Sequence, residues 1–144
     1  MPRKLFVNIG VEDLDRSVAF FTGLGFEFDP RFTDETATCM LVGEDAYFML
    51  LTREKLDAFR TKPYADPETS SQALFAISAE SREAVDELDD RALELGGSPA
   101  GQPQDHGFMY GHSFHDPDGH HWEVFWMDMA AAEEAATAGA AQAG

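Results

Sequence analysis

Leu5-Phe6-Val7-Asn8-Ile9-Gly10-Val11-Glu12-Asp13-Leu14-Asp15-Arg16-Ser17-Val18-Ala19-Phe20-Phe21-Thr22-Gly23-Leu24-Gly25 is the stretch on which the fold turns. Leu5–Val11 is a β-prone run, and Asp13 after it suits a helix N-cap, where a short acceptor takes up a free backbone N–H. Leu14, Val18 and Phe21 recur at i, i+4 and i+7 with Phe20 beside them, which marks an amphipathic helix. Gly23 and Gly25 stop it. Residues 26–32 then alternate apolar with polar side chains as a half-buried strand does. Two further runs, 37–42 and 46–51, flank Gly43-Glu44-Asp45, a hairpin turn. The order is strand, helix, strand, strand, strand.

The same order recurs downstream. Residues 73–78 read as a strand, Ser81 as an N-cap, and Val85, Leu88, Ala92 and Leu95 as a helical stripe stopped by Gly96-Gly97. A weaker strand over 98–104 leads to a strand over 108–115, a turn at Asp116-Pro117-Asp118-Gly119 and a last strand over 120–127. This is a βαβββ unit used twice, an α+β fold. Its simplest packing is two curved antiparallel sheets, each helix on the convex face, around a trough lined by alternate strand residues. A strand-lined trough is a natural small-molecule site. One domain spans 1–128: unit one 4–52, a polar linker 53–71 with Pro63, Pro67 and a short helix around Arg53–Phe59, and unit two 72–128. The Ala-rich tail 129–144 has no apolar stripe, and is expected to be disordered, frayed or at most a marginal helix.

The chain has 144 residues, 44% of them hydrophobic, and a formal net charge of -17. That length can bury one sizeable core. So negative a chain repels phosphate backbones and anionic headgroups, so neither nucleic acid nor a membrane surface is an expected partner. No apolar run approaches the roughly 18 residues that span a bilayer. The N-terminal run meets Glu12 and Asp13 too early for a signal peptide, so the expected location is cytoplasmic. Residues 1–71 hold 13 acids and 8 bases, and residues 72–144 hold 14 acids and two bases, Arg82 and Arg91. The second half therefore has few cations with which to hold an anion. The lone Cys39 lies in an apolar run and reads as a packed, inert thiol.

All five histidines, His106, His112, His115, His120 and His121, fall within 16 residues. His120 and His121 are adjacent, so they point to opposite faces of a strand, and His112 and His115 also differ in parity. They cannot all meet at one metal. On the last strand Trp122, Val124 and Trp126 form the hydrophobic face that should meet the covering helix, which turns Glu123 into the trough. A carboxylate there is rarely a packing residue, because burying it unpaired is costly.

The opening stretch, from Phe6 to Phe26, resembles the start of the vicinal oxygen chelate superfamily. Asp116-Pro117-Asp118-Gly119-His120-His121-Trp122-Glu123-Val124 resembles that superfamily's final hairpin. The family comprises glyoxalase I, the extradiol dioxygenases, the fosfomycin-modifying enzymes and the bleomycin-binding resistance proteins. The resemblance implies the same duplicated fold over residues 4–128. It also implies a divalent metal held by a His on the first strand, by donors on inner strands and by a Glu on the last. The last position maps onto Glu123. The first maps onto Phe6, which cannot ligate. The donor opening the second unit maps onto Gln72, a weak neutral oxygen, and the remaining one, in 48–51, offers only Met49 or Leu50. No His precedes His106. A catalytic zinc, nickel or iron site normally takes about three or more protein ligands. Glu123 and Gln72 are thus expected to be remnants of the family site, with no cofactor and a divalent metal as the minority outcome.

By parity Phe6, Asn8, Gly10, Gln72, Leu74, Gly111, Ser113, His115, His121 and Phe125 face the trough with Glu123. Asn8 also aligns with a substrate-contacting position of fosfomycin-type relatives. Tyr110 and His112 fall on the opposite parity unless Gly111 carries a bulge. A cationic or aromatic small molecule suits this set, since a positive partner holds Glu123 ionised. The resulting expectation is a metal-free binding protein of the bleomycin-resistance type, working as a homodimer. The alternatives are a glyoxalase I-like lyase acting on a thiol adduct, a metal-free enzyme using Glu123 as general base, or a ligand-free dimeric scaffold.

Overall fold

The structure is a computed structural model and describes residues 3–143. The described residues form two compact units, 3–72 with 117–119, and 73–116 with 120–143.

Unit one runs β1 (Leu5–Val11), α1 (Leu14–Gly23), β2 (Glu27–Asp29), a 3-10 turn (Pro30–Phe32), β3 (Ala37–Gly43), β4 (Ala46–Thr52) and α2 (Arg53–Phe59). Its sheet order is β1-β4-β3-β2. The two hairpins pair antiparallel, and β1 pairs with β4 parallel. The expected α+β architecture is therefore present, with mixed rather than wholly antiparallel sheets. The cause is α1, which carries the chain back so that β2, and two hairpins later β4, run in the same direction as β1. Asp13 caps α1 by accepting from Arg16 N at 3.1 Å. The face that α1 buries carries Ser17, Phe20 and Phe21, and the unit's core continues through Ile9, Val11, Met40, Phe48 and Leu50.

The strand expected over 26–32 stops at Asp29. Pro30 has no N–H for the ladder, and the Asp29 carboxylate accepts from Arg31 N at 3.0 Å, which winds the chain into the 3-10 turn. The segment read as a linker belongs to unit one. Its helix α2 packs on β1 and β4, and a Cβ at Gly10 would stand 2.8 Å from Leu56 Cδ2 and 3.5 Å from Tyr64.

Unit two runs β5 (Leu74–Ser78), α3 (Arg82–Glu94), β6 (Ser98–Pro99), β7 (Gln104–Asp105), β8 (Met109–His115), β9 (His121–Met127) and α4 (Met129–Ala143). The sheet order is β5-β9-β8-β6, with β7 also on β8, and β5 pairs with β9 in parallel as β1 does with β4. The strand expected over 98–104 is two short pieces, β6 and β7, interrupted by Gly101 at φ 135. Ser81 caps α3 through Ala84 N at 3.0 Å, and Val85, Asp89 and Ala92 are its buried residues. Phe114, Trp122 and Val124 on the strands are each 0% exposed. The β8–β9 register runs unbroken from Met109↔Met127 to His115↔His121, so Gly111 carries no bulge. The tail expected to be disordered or frayed forms helix α4, with Asp128 accepting from Ala131 N at 3.2 Å. Among the described residues no helix is long and apolar enough to cross a membrane.

Gly97 closes α3 against β8. A Cβ there would lie 2.8 Å from His115 O and 2.9 Å from Ala92 O, both backbone atoms. Gly97→Ala is accordingly expected to cost about 1–3 kcal/mol, the usual range for forcing atoms into filled space. The urea midpoint measures this directly, and an unchanged midpoint would mean that the helix end shifts freely.

Candidate functional site

The site is built from three strands of unit two. Alternation puts Leu74, Ala76 and Ser78 of β5, His121, Glu123 and Phe125 of β9, and His115, Ser113 and Gly111 of β8 on one face. The registers align them in three rows: Leu74, His121, His115; Ala76, Glu123, Ser113; and Ser78, Phe125, Gly111. Small residues flank both Glu123 and Phe125 across the ladder, so each side chain stands above its row neighbours. A Cβ at Gly111 would make only ordinary contacts, 3.5 Å to Val124 O and 3.7 Å to Phe125 Cβ. The Glu123 side chain is 43% exposed, and its Oε1 lies 3.6 Å from His121 Nε2. The His121 ring meets His115 edge to face, with centroids 5.4 Å apart.

The other face of the same sheet lies under α3. There His112 Nδ1 is 3.2 Å from Asp89 Oδ2 and 3.8 Å from Asp86 Oδ1. Tyr110 donates to Asp86 at 2.6 Å, and that bond pushes the phenol up to about 12. Burial raises the Asp89 carboxyl above its ordinary value, and the nearby His112 only partly offsets this. A raised acid binds its proton more tightly folded than unfolded, so Asp89 makes stability fall as pH rises through and above the ordinary carboxylate range. The expected result for Asp89→Asn is a urea midpoint that gains on the wild type between pH 4 and pH 7. A constant difference would mean that the buried carboxylate imposes no such penalty.

Of the residues expected from sequence, Ser113, His115, His121, Glu123 and Phe125 come together on this one face. Phe6 and Asn8 lie on β1 in the sheet of unit one, where Phe6 stacks on Tyr47 at 4.7 Å and 12° and Asn8 is paired with Met49. Gly10 is covered by Leu56 and Tyr64. Gln72 is exposed and precedes β5, outside the ladder with β9. The histidines divide as parity requires: His115 and His121 on the Glu123 face, His112 against α3, His120 beside Phe75 at 6.3 Å, and His106 in the loop before β8. Cys39 is 1% exposed, and burial pushes its thiol up.

The donor set does not fit a divalent cation. Phe6 offers no lone pair, Met49 only a thioether, and among the described residues no three His, Cys, Asp or Glu side chains converge as metal donors.

Sequence reasoning missed a cavity of about 240 Å³ in unit one. Its lining includes Val11, Glu12, Arg53, Tyr64, Glu68 and Asp118. The Arg53 guanidinium stacks 3.4 Å above the Tyr64 ring and also bonds Asp57. Nothing periodic marks this segment.

Asp118 is 7% exposed. It accepts from Glu12 N at 2.8 Å, Arg16 Nη2 at 3.2 Å and Ser17 Oγ at 3.3 Å.

Three comparisons with known proteins bear on this arrangement. The family model described as Glyoxalase/Bleomycin resistance protein/Dioxygenase superfamily matches residues 5–124. No curated protein matches the chain. Among solved structures, the hypothetical protein SA1046 from S. aureus is 23% identical, with 88% of this chain and 95% of that one covered at a TM-score of 0.72. A glyoxalase-related enzyme from Fulvimarina pelagi is 18% identical, with 88% of each chain covered at 0.70. The fosfomycin resistance protein FosX from Listeria monocytogenes is 19% identical, with 88% and 93% covered at 0.61. At these identities the likenesses speak to fold.

Proposed function

We infer function from one fixed premise: the chain belongs to the glyoxalase/bleomycin resistance protein/dioxygenase superfamily. Within it we read the chain as a small-molecule-binding protein that works without the family's metal. It sequesters a drug or metabolite in the manner of the bleomycin-resistance proteins and acts as a homodimer. The observation that supports this reading is Glu123 standing between Ala76 and Ser113, with no three His, Cys, Asp or Glu side chains grouped as metal donors among the described residues. A carboxylate so placed, with Phe125 beside it, suits a cationic or aromatic ligand. Opposite charge favours the ionised acid, and the ring offers its face to a cation.

An enzyme using Glu123 as general base is the second reading, favoured by the imidazole of His121 at 3.6 Å. A lyase acting on an anionic thiol adduct fits less well. Arg82 and Arg91, the last two bases of the chain, sit on α3, where Arg82 is bound to Asp105 and Arg91 to Glu94.

Two measurements test the binding reading. In a thermal-shift screen, cationic aromatic compounds should raise the melting temperature of the wild type more than that of Glu123→Gln. Equal shifts remove Glu123 from the site. In metal analysis of protein purified without chelator or His-tag, stoichiometric nickel or zinc that disappears in Glu123→Gln contradicts the metal-free reading.

A further inference from the structure

The geometry points to His121 as the positioning residue of Glu123, holding one carboxylate oxygen so that the other faces the ligand. This rests on the reading of the Glu123 face as a binding site and adds the residue that sets the direction of its charge.

His121 Nε2 is shut off from solvent and has no hydrogen-bond partner. A native fold rarely leaves a buried polar atom so, because the group forfeits its water without a replacement. The oxygen it faces is Glu123 Oε1 at 3.6 Å, a few tenths of an ångström beyond a formed bond. The ring is fenced on the same row by His115, edge-on at 5.4 Å, and by Leu74 across the parallel ladder. The carboxylate is the freer partner: its side chain is 43% exposed against 16% for His121.

A proton on Nε2 is the arrangement that makes this pair attractive, since a lone pair there would face the lone pairs of the carboxylate. With Nε2–H donating to Oε1, the second oxygen is left free above the small row neighbours Ala76 and Ser113. A ligand cation then meets an acceptor whose direction is already set, and less ordering remains to be done on binding.

The test is an NMR titration of benzylammonium chloride into the full chain, with benzyl alcohol as the uncharged control, across four variants. Glu123→Gln should weaken benzylammonium selectively. His121→Leu should weaken it about tenfold, the size expected for losing a hydrogen bond to a charged group. His121→Gln, which restores an N–H near the position of Nε2, should recover most of that loss. In the double variant His121→Leu with Glu123→Gln, affinity should equal that of Glu123→Gln alone, because a residue acting only through Glu123 has nothing left to act on. A merely structural role for His121 would instead give additive losses and no rescue by Gln. If Glu123→Gln weakens binding and His121→Leu does not, or if the losses add, the positioning role is wrong and the binding face stands. If the wild type does not bind benzylammonium, or Glu123→Gln binds it unchanged, both fall together.

Discussion

Trp122→Ala should lower the stability of the chain by about 3–5 kcal/mol, the cost of emptying a large buried aromatic site. Trp122 is 0% exposed and its ring packs against Phe75 at 5.1 Å. Its indole Nε1 donates to Asp116 Oδ2 at 3.0 Å. The other oxygen of Asp116 accepts from His120 N at 3.0 Å, so one carboxylate ties the turn to the strand that follows. Both the lost volume and the lost bond act in the same direction. At this chain length the melting temperature should fall by roughly 10 °C or more. Trp122→Phe separates the two contributions by keeping most of the ring and removing only the donor, and should cost clearly less. The substitution also bears on function, because Trp122 anchors the side of β9 opposite Glu123. A melting temperature within a degree or two of the wild type would contradict the packing described for β9.

Asp118→Ala is the second large effect, expected on the order of 3 kcal/mol from the loss of hydrogen bonds to a charged group. The carboxylate accepts from Glu12 N just before α1 and from Ser17 Oγ within it. Ser17 is 1% exposed, so its hydroxyl is left without this acceptor in the variant. The positive end of the helix adds to the attraction. The Arg16 side chain is 43% exposed, so its ion pair with Asp118 is screened by solvent and contributes the smaller share. Asp118→Asn, which can still accept from Glu12 N, should fall between the alanine variant and the wild type. A urea midpoint for Asp118→Ala indistinguishable from the wild type would show that water replaces these contacts at no cost.

Both substitutions act in the Asp-Pro-Asp-Gly hairpin that was legible from sequence as a turn, yet neither carboxylate's role could be read there. A turn signal states that Asp and Gly suit the backbone; it does not say that Asp116 accepts from Trp122 in the next strand or that Asp118 accepts from the distant Glu12, Arg16 and Ser17. The elements themselves were legible where period and punctuation agree. Asp13, Ser81, Gly25 and Gly96 mark helix ends in the sequence and do so in the structure, and the short helix at Arg53–Phe59 falls where it was placed. The failures are local. Pro30 truncated a strand whose alternation continued past it, and Gly101 divided another. Strand direction was misjudged because alternation carries no information about whether a neighbour runs parallel.

For the candidate site, parity was enough to bring Ser113, His115, His121, Glu123 and Phe125 to one face, since a regular ladder preserves alternation through every row. Ala76 and Ser78 share that face and leave Glu123 and Phe125 uncovered, a role that small side chains do not signal in a sequence. The cavity beside Tyr64 was illegible for another reason: its wall is irregular chain held by tertiary contacts, and such a segment has no period to read.

The proposed binding function turns on what occupies the face around Glu123. The most direct measurement is a crystal structure of the full chain with a cationic aromatic compound that raises its melting temperature. The predicted result is the positive group about 3 Å from the Glu123 carboxylate, between Ala76 and Ser113, with no metal ion between them. A compound lodged instead in the cavity beside Tyr64, or a divalent ion bound to Glu123, would contradict it.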